Sequence, residues 1–325
     1  MFVFRLVQLR RVYYVISGIV VALGLLTMIL STLTRGTPFP LGIDFVGGSI
    51  YELTFSAAGA TESGLRDVFE RNGATNVSIQ RIGAEAENRW SVRAPFAPIE
   101  TQQQILSEMG ALAPLDAGAT RTESLSASVG AEASRAAVVA VLVATVVVTG
   151  FIVIAFRSVP NALRYGVCAI AAMFHDVLVV CGIAAILGLV LGWEVDALFL
   201  TAVLTVVGFS VQDTIVVFDR IRENIPRRLG EPYETIVNRS VIETLHRSLA
   251  TQLNAFFIMI AILLFGGDSV KQFIAILFVG LLTGTYSSIF IAVPLLVSWE
   301  LGEIPFINRA AKRRRELAAV SAEPS

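Results

Sequence analysis

The chain has 325 residues, of which 55% are hydrophobic and only 16% charged, and its formal net charge is −1. A soluble domain carries about 25% charged residues, so this composition excludes an ordinary water-soluble protein. The near-zero charge also excludes the global basic field that recruits nucleic acid.

The apolar residues are gathered in blocks, as bilayer segments are. Arg5, Arg10 and Arg11 precede the first block, Val12–Leu33, which is about 22 residues long and ends in Thr32-Leu-Thr-Arg-Gly36. A signal-peptide core is about 7–15 residues and ends at a small-residue cleavage site, so this block reads as an uncleaved spanning helix. Residues 35–135 then read as a small external α+β domain. Ser49–Phe55 alternates as a strand. Thr61–Asn72 is a helix capped by Thr61 and ended by Gly73. Val77–Ile82 and Trp90–Ala94 are strands around the turn-like Gly83–Asn88, Glu100–Met109 is a second helix stopped by Gly110, and Arg121–Leu125 is a last strand. The order β-α-β-β-α-β suits a ferredoxin-like fold. The domain has no histidine or cysteine and its carboxylates are scattered, so it reads as a binding or mechanical module and not as an enzyme.

A span needs about 20 mainly apolar residues. Beyond the domain, Ala136–Phe156, Tyr165–Leu191, Ala197–Phe218, Leu249–Phe265 and Phe273–Val297 qualify, the fifth being short enough to need residues before Leu249. The expected fold is therefore an α-helical polytopic membrane protein with six transmembrane helices and the external domain between helices 1 and 2. Its divisions are 1–34 (N-terminus and first helix), 35–135 (domain), 136–300 (helices 2–6) and 301–325 (basic tail). Cys168 and Cys181 share one apolar block and read as small hydrophobes; no disulfide, metal site or cofactor is predicted.

Arg and Lys set the orientation. They flank the N-terminus, bracket the connection at Arg157 and Arg164, and fill the loop Asp219–Ser248 with Arg220, Arg222, Arg227, Arg228, Arg239 and Arg247. The tail adds Arg309 and the run Lys312–Arg315, whereas the connection Gly192–Asp196 has no base and Gly266–Gln272 has only Lys271. Both termini are thus expected on the cytoplasmic side and the domain outside. The tail suits anionic lipid or a cytoplasmic partner.

An ionisable residue at a helix centre costs about 2.5–3.5 kcal/mol on insertion scales, which singles out two acids. Asp176, beside His175, lies near the middle of the third span. Asp213 lies in the fourth, towards its cytoplasmic end, where Thr201, Thr205, Gly208 and Gln212 at i, i+4, i+7 and i+11 form a small polar stripe suited to helix packing. Ser210 lies beside that stripe. Arg247, where the fifth span begins, can reach the depth of Asp213. Such an ion pair can also be a proton switch, because a carboxyl changes its proton affinity when it is separated from Arg and desolvated. Two blander readings stand beside this one: Asp213 reaching the headgroup zone with Arg247 as a snorkelling anchor, and Asp176 as a structural carboxylate paired with His175 or bonded to a neighbouring helix.

Several segments resemble one family. Gly42-Ile-Asp-Phe-Val-Gly-Gly48 resembles the GxDFxGG signature of the SecD and SecF protein-export subunits, carried here by Gly42, Asp44, Phe45, Gly47 and Gly48. Gly208–Asn224 resembles the end of the SecF fourth span, Thr244-Leu-His-Arg-Ser-Leu249 its TLxRT segment, and His175-Asp-Val177 its HDV. One six-span unit of this length is similar to SecF and not to a fused SecDF. Gln212 departs from the usual Asn, Leu125–Gly130 lacks the common Gly-Pro, and Ser248–Asn254 lacks part of the Thr/Ser pattern.

The resemblance implies an accessory, non-enzymatic inner-membrane subunit, working with SecD at the SecYEG translocon and using the proton motive force to move exported unfolded polypeptide. It assigns proton coupling to Asp213 and Arg247. His175, Asp176, Thr205, Ser210 and Gln212 form an additional polar set within the spans. The alternatives are half of a resistance–nodulation–division exporter of small molecules or lipid, against which the single small domain argues, and a subunit that is structural only.

Overall fold

A computed structural model of the chain describes residues 6–74, 77–83, 87–156, 162–227 and 230–304. Arg5, Arg157, Arg228, Arg309 and the tail run Lys312–Arg315, on which part of the orientation argument rests, lie outside those residues, as does the middle of the turn after Gly83. The chain divides into two compact units. One takes residues 41–140 with 194–197; the other takes residues up to 40, 141–193 and those from 198 on.

In the first unit, α2 (Ile43–Val46) is a single turn within the glycine-rich signature. It leads into β1 (Gly48–Thr54), α3 (Glu62–Arg71), β2 (Ser78–Ile82), β3 (Arg89–Ala94), α4 (Ile99–Leu112) and β4 (Arg121–Leu125). The strands form one antiparallel sheet in the order β2-β3-β1-β4, with Tyr51 opposite Val92 and Thr122. This is the ferredoxin-like arrangement, in which β1 and β2 flank β3. Alternation in β1 and β3 turns Tyr51, Leu53, Trp90 and Val92 inward. Leu65, Val68 and Phe69 on α3 and Ile105 and Met109 on α4, all at helical spacing, close the core over them. Tyr51 meets Phe69 edge to face at 5.0 Å.

The helix signals act locally. Thr61 Oγ1 accepts from Gly64 N at 3.2 Å, and Gly73 turns the chain away with φ +85°. Thr61→Ala is expected to cost about 1 kcal/mol. That should speed amide exchange in Glu62–Arg71 by about fivefold and leave α4 unchanged. Gly110 does not stop α4, which continues to Leu112.

The second unit holds the long helices α1 (Arg10–Arg35), α6 (Ala162–Val190), α8 (Tyr233–Phe265) and α9 (Asp268–Ser287), with about half of α5 (Ala127–Ala155) and nearly all of α7 (Ala197–Arg227). A π-helical turn, Ser288–Ala292, joins α9 to α10 (Val293–Glu300), so these form one last span. Among the described residues six helices are long and apolar enough to cross a bilayer, the number expected from the apolar blocks.

The sequence boundaries fail in one region. The expected loop Asp219–Ser248 is mostly helix: α7 runs past Phe218 to Arg227, and α8 begins at Tyr233, far before Leu249. The charged residues lie on an amphipathic pair of helix extensions and not in a coil. Arg220 bonds Glu243 at 2.6 Å and Glu223 at 2.9 Å, and Asn224 donates to Ser240 at 2.9 Å, while Ile221, Val237 and Val241 are buried.

Small residues let the helices of this unit approach closely. A Cβ on Gly24 of α1 would stand 2.9 Å from Gly182 Cα on α6, and one on Gly284 of α9 would stand 3.3 Å from Ser210 Cβ on α7. A Cβ on Gly280, one turn earlier, would run into Val206. The end of the unit near Arg10 is tied by polar contacts. Arg10 bridges Glu234 at 2.9 Å and Glu303, and Arg164 pairs with Glu300 at 2.6 Å. Tyr14 meets Ser298 at 3.2 Å. Glu303, past the last helix, is held below the usual carboxylate range by the hydrogen bonds that Arg10 donates.

Candidate functional site

Among the described residues two carboxylates are buried in the long-helix unit, and each has a different set of partners. Asp176 stands midway along α6 and is 1% exposed. Its Oδ2 accepts from Ser210 Oγ of α7 at 2.5 Å and from Ser287 Oγ of α9 at 2.6 Å. Its Oδ1 faces His175 Nδ1 at 3.0 Å. Two hydroxyl donors at these lengths are the geometry of charge-assisted bonds to a carboxylate. Gly284 lies against this cluster: an added Cβ would press on Ser210 Cβ at 3.3 Å and touch Asp176 Oδ2 at 3.7 Å. Ser287 was not singled out from the sequence. Its signal was present: Gly280, Gly284 and Ser287 recur at i, i+4 and i+7 on the last span.

Asp213 lies three residues beyond Ser210 on α7 and is 8% exposed. Among the described residues its hydrogen-bond partner is Gln252 of α8, whose Nε2 donates to Oδ2 at 2.8 Å. Gln252 is itself buried, and its Oε1 has no hydrogen-bond partner among the described residues. A buried acceptor left unpaired costs about 1–3 kcal/mol, so the pair is satisfied on one side only. Gln252 also escaped the sequence reading, although Thr244, Ser248 and Gln252 form a buried polar stripe at i, i+4 and i+8.

The Asp213–Arg247 ion pair weighed from the sequence does not form. Arg247 precedes Gln252 by five residues on α8, which turns it well away from the face that Gln252 presents. It is exposed and lines an open groove of about 320 Å³ with Val216, Asp219, Arg220, Glu223, Glu243 and Thr244. The stripe Thr201, Thr205, Gly208 and Gln212 likewise lies on an exposed to half-buried face of α7. Gly208 and Gln212 are exposed, and Thr205 Oγ1 bonds back to Thr201 O at 2.7 Å on its own helix. Of the polar set named from the sequence, the fold therefore brings His175, Asp176 and Ser210 together and leaves Thr205 and Gln212 apart.

The glycine signature has its own geometry, within the sheet unit. Gly42 N donates to Val195 O at 2.8 Å, and Asp44 Oδ2 accepts from Ala197 N at 2.9 Å, capping the first residue of α7. Arg93 pairs with Glu194. Gly47 and Gly48 have φ of +77° and +129°, and a Cβ on Gly47 would lie 2.7 Å from both N and Cα of Ala127. The signature thus clasps the 194–197 connection on one side and the start of α5 on the other. Among the described residues no group of three or more His, Cys, Asp and Glu could hold a metal.

Comparison with known proteins supplies a family. Residues 104–302 match the family described as protein export membrane protein SecD/SecF, C-terminal, and residues 36–58 match the SecD/SecF GG motif. The protein translocase subunit SecF of Anaerolinea thermophila is 43% identical over 297 residues, covering 90% of this chain and 93% of that one. The SecF of Thermobaculum terrenum is 40% identical, with 91% and 93% covered. Among solved structures, SecDF of Thermus thermophilus, a translocon-associated membrane protein, superposes with a TM-score of 0.73 at 31% identity. The match covers 90% of this chain and 38% of the longer SecDF chain.

Proposed function

Because the chain belongs to the SecD/SecF family of protein-export membrane proteins, on its SecF side, we propose that it is the proton-coupled half of an accessory Sec complex. It works beside a SecD-type partner at the SecYEG channel, in the cell inner membrane, with both termini cytoplasmic and the sheet unit outside. Exported unfolded polypeptide is its cargo and no enzymatic step is involved. The basic tail meets anionic lipid. Association with SecD is supported by the likeness to a fused SecDF, of which this chain matches a minor part.

The observation that carries the proton-coupling reading is Asp213, a buried carboxyl held by one amide whose other end is unsatisfied. An amide can serve both protonation states. Its N–H₂ donates to the carboxylate, and after a half-turn its oxygen accepts from the carboxylic O–H. Asp213 can therefore take and release a proton without leaving its place, and the charge change alters what α7 and α8 offer each other. A proton crossing 100 mV carries about 2.3 kcal/mol, enough to bias two helix arrangements of similar energy. Arg247, in its groove at the end of the helix pair, serves as the cation that draws the proton off Asp213 when α8 turns towards it. The exposed stripe through Gly208 and Gln212 is the face offered to the partner's helices, because polar groups at that depth are better matched by protein than by lipid.

The test is translocation of a secretory precursor into inverted membrane vesicles with and without a proton gradient. Arg247→Met should lower the gradient-dependent part about tenfold, the scale of one lost charge-assisted contact of about 1.5–3 kcal/mol. Gradient-independent export should be unaffected. Full gradient dependence in Arg247→Met, at normal protein level, would reduce Arg247 to architecture.

A further inference from the structure

The proton-coupling reading uses Asp213 and Arg247 and leaves Asp176, the most deeply buried carboxyl among the described residues, without a task. We propose that His175 and Asp176 form a second proton-binding site, which holds or releases the clasp of α7 and α9 on α6; this rests on the proton-coupled reading above and extends it.

The argument starts from charge. Asp176 sits at the middle of a spanning helix with 1% exposure, and its partners are two serine hydroxyls and one imidazole. Among the described residues no Lys or Arg faces it. From α7 comes Ser210, with Asp213 a turn further on and engaged with Gln252. From α9 come Ser287 and Tyr286, the latter with its ring 6.4 Å from that of His175 and its hydroxyl accepting from Ser17 of α1 at 3.3 Å. Ser210 and Ser287 spend their hydrogens on Oδ2, which suits a carboxylate. Among the described residues the group that can balance the charge of that carboxylate is His175, by taking a proton. The pair is then neutral as imidazolium and carboxylate, and it is a place where exactly one mobile proton resides.

His175 also supplies a route. Its Nδ1 faces Asp176 and its Nε2 has no protein partner among the described residues, while its side chain remains 11% exposed, unlike that of Asp176. A proton from water adds to Nε2. The Nδ1 proton can then pass to Asp176 Oδ1, leaving neutral imidazole and a neutral carboxylic acid. The site gains one proton in all, and its charge goes from −1 to 0.

The second state has a mechanical meaning. Charge-assisted hydrogen bonds are roughly twice as strong as neutral ones, so protonating Asp176 weakens both serine bonds together. Those bonds join α6 to α7 and α9, at a point where Gly284 already brings the backbones of α7 and α9 close. Ser210 is one turn from Asp213 on the same helix. Loosening it shifts the carboxyl that Gln252 holds, so the two proton sites respond to each other through α7.

The experiment uses the full chain with its SecD-type partner in proteoliposomes, following gradient-driven proton uptake with a pH-sensitive dye over a range of external pH. His175→Gln should flatten the pH profile of uptake across that range and Asp176→Asn should cut uptake about tenfold or more. Ser287→Ala should leave uptake in place but lower precursor export, since the proton still binds and the clasp no longer answers. Infrared difference spectra should lose a carboxylic C=O band in Asp176→Asn. If Asp176→Asn does not assemble, His175→Gln decides alone. Unchanged uptake and pH profile in His175→Gln, with uptake abolished in Asp213→Asn, would overturn this proposal and leave the first reading standing. Unchanged uptake in both would overturn the two together.

Discussion

Asp213→Asn is expected to remove the proton-driven part of precursor export while the chain stays in the membrane and bound to its partner. Asparagine has the shape of the aspartate and can still meet Gln252, one amide against another, so packing between α7 and α8 is preserved. The change removes only the ability to carry a proton. Burial makes the loss large, because bulk solvent has little access to the carboxyl: Asp213 is 8% and Gln252 2% exposed. Export in inverted vesicles should fall to the level seen when an uncoupler collapses the gradient, and adding the uncoupler should then change nothing further. Gln252→Leu should be milder, since it takes away the partner and not the proton carrier. If Asp213→Asn vesicles still respond to the gradient, with normal protein level and partner co-purification, Asp213 has no coupling role.

Gly47→Val should unfold the sheet unit locally without touching either carboxyl. Two costs fall on one residue. A β-branched side chain at φ +77° adds about 1–3 kcal/mol of backbone strain. Its Cβ also meets Ala127 N and Cα at 2.7 Å, where backbone and not a flexible side chain would have to move. Overpacking adds about 1–3 kcal/mol more, against about 5–15 kcal/mol for the stability of a whole domain. Trypsin should cut the arginines of β3 and β4 in the full chain more than tenfold faster than in the unsubstituted chain. Gly36 is a control, with φ +80° and nothing within 4 Å of an added Cβ. Gly36→Val bears the strain alone and should change cleavage only slightly. Equal resistance in both variants would mean that the 127 contact yields.

The sheet unit was legible in the sequence almost element by element, because alternation and capping act over a few residues and water enforces them. Thr61 and Gly73 do what their types suggest. Gly110 does not, since a glycine inside a helix costs only about 1 kcal/mol and Ala111 and Leu112 carry α4 past it. The long helices were legible in number and not in contact. In a bilayer the apolar side of a helix faces lipid and core alike, so the stripe through Gly208 and Gln212 was visible while its outward direction was not. Asp176 and Ser210 stood in one polar set read from the sequence; the second donor to Asp176, Ser287, sits 111 residues from it, and no local pattern joins them. The helical extensions of α7 and α8 were missed because charge density alone does not distinguish a coil from a solvated helix whose inner face holds Ile221, Val237 and Val241.

The π-helical turn at Ser288–Ala292 follows directly on Ser287. Such a turn behaves as a one-residue insertion in an α-helix, and one residue is worth about 100° of rotation. It sets the phase between the two ends of the last span. Upstream, Gly280, Gly284 and Ser287 address α7 and Asp176; downstream, Ser298 addresses Tyr14, and Glu300 addresses Arg164. Deleting one residue within the turn would restore regular α-helix and force one of these faces out of alignment. The span is therefore two half-helices with separate bearings, and the offset between them is held by a single amino acid.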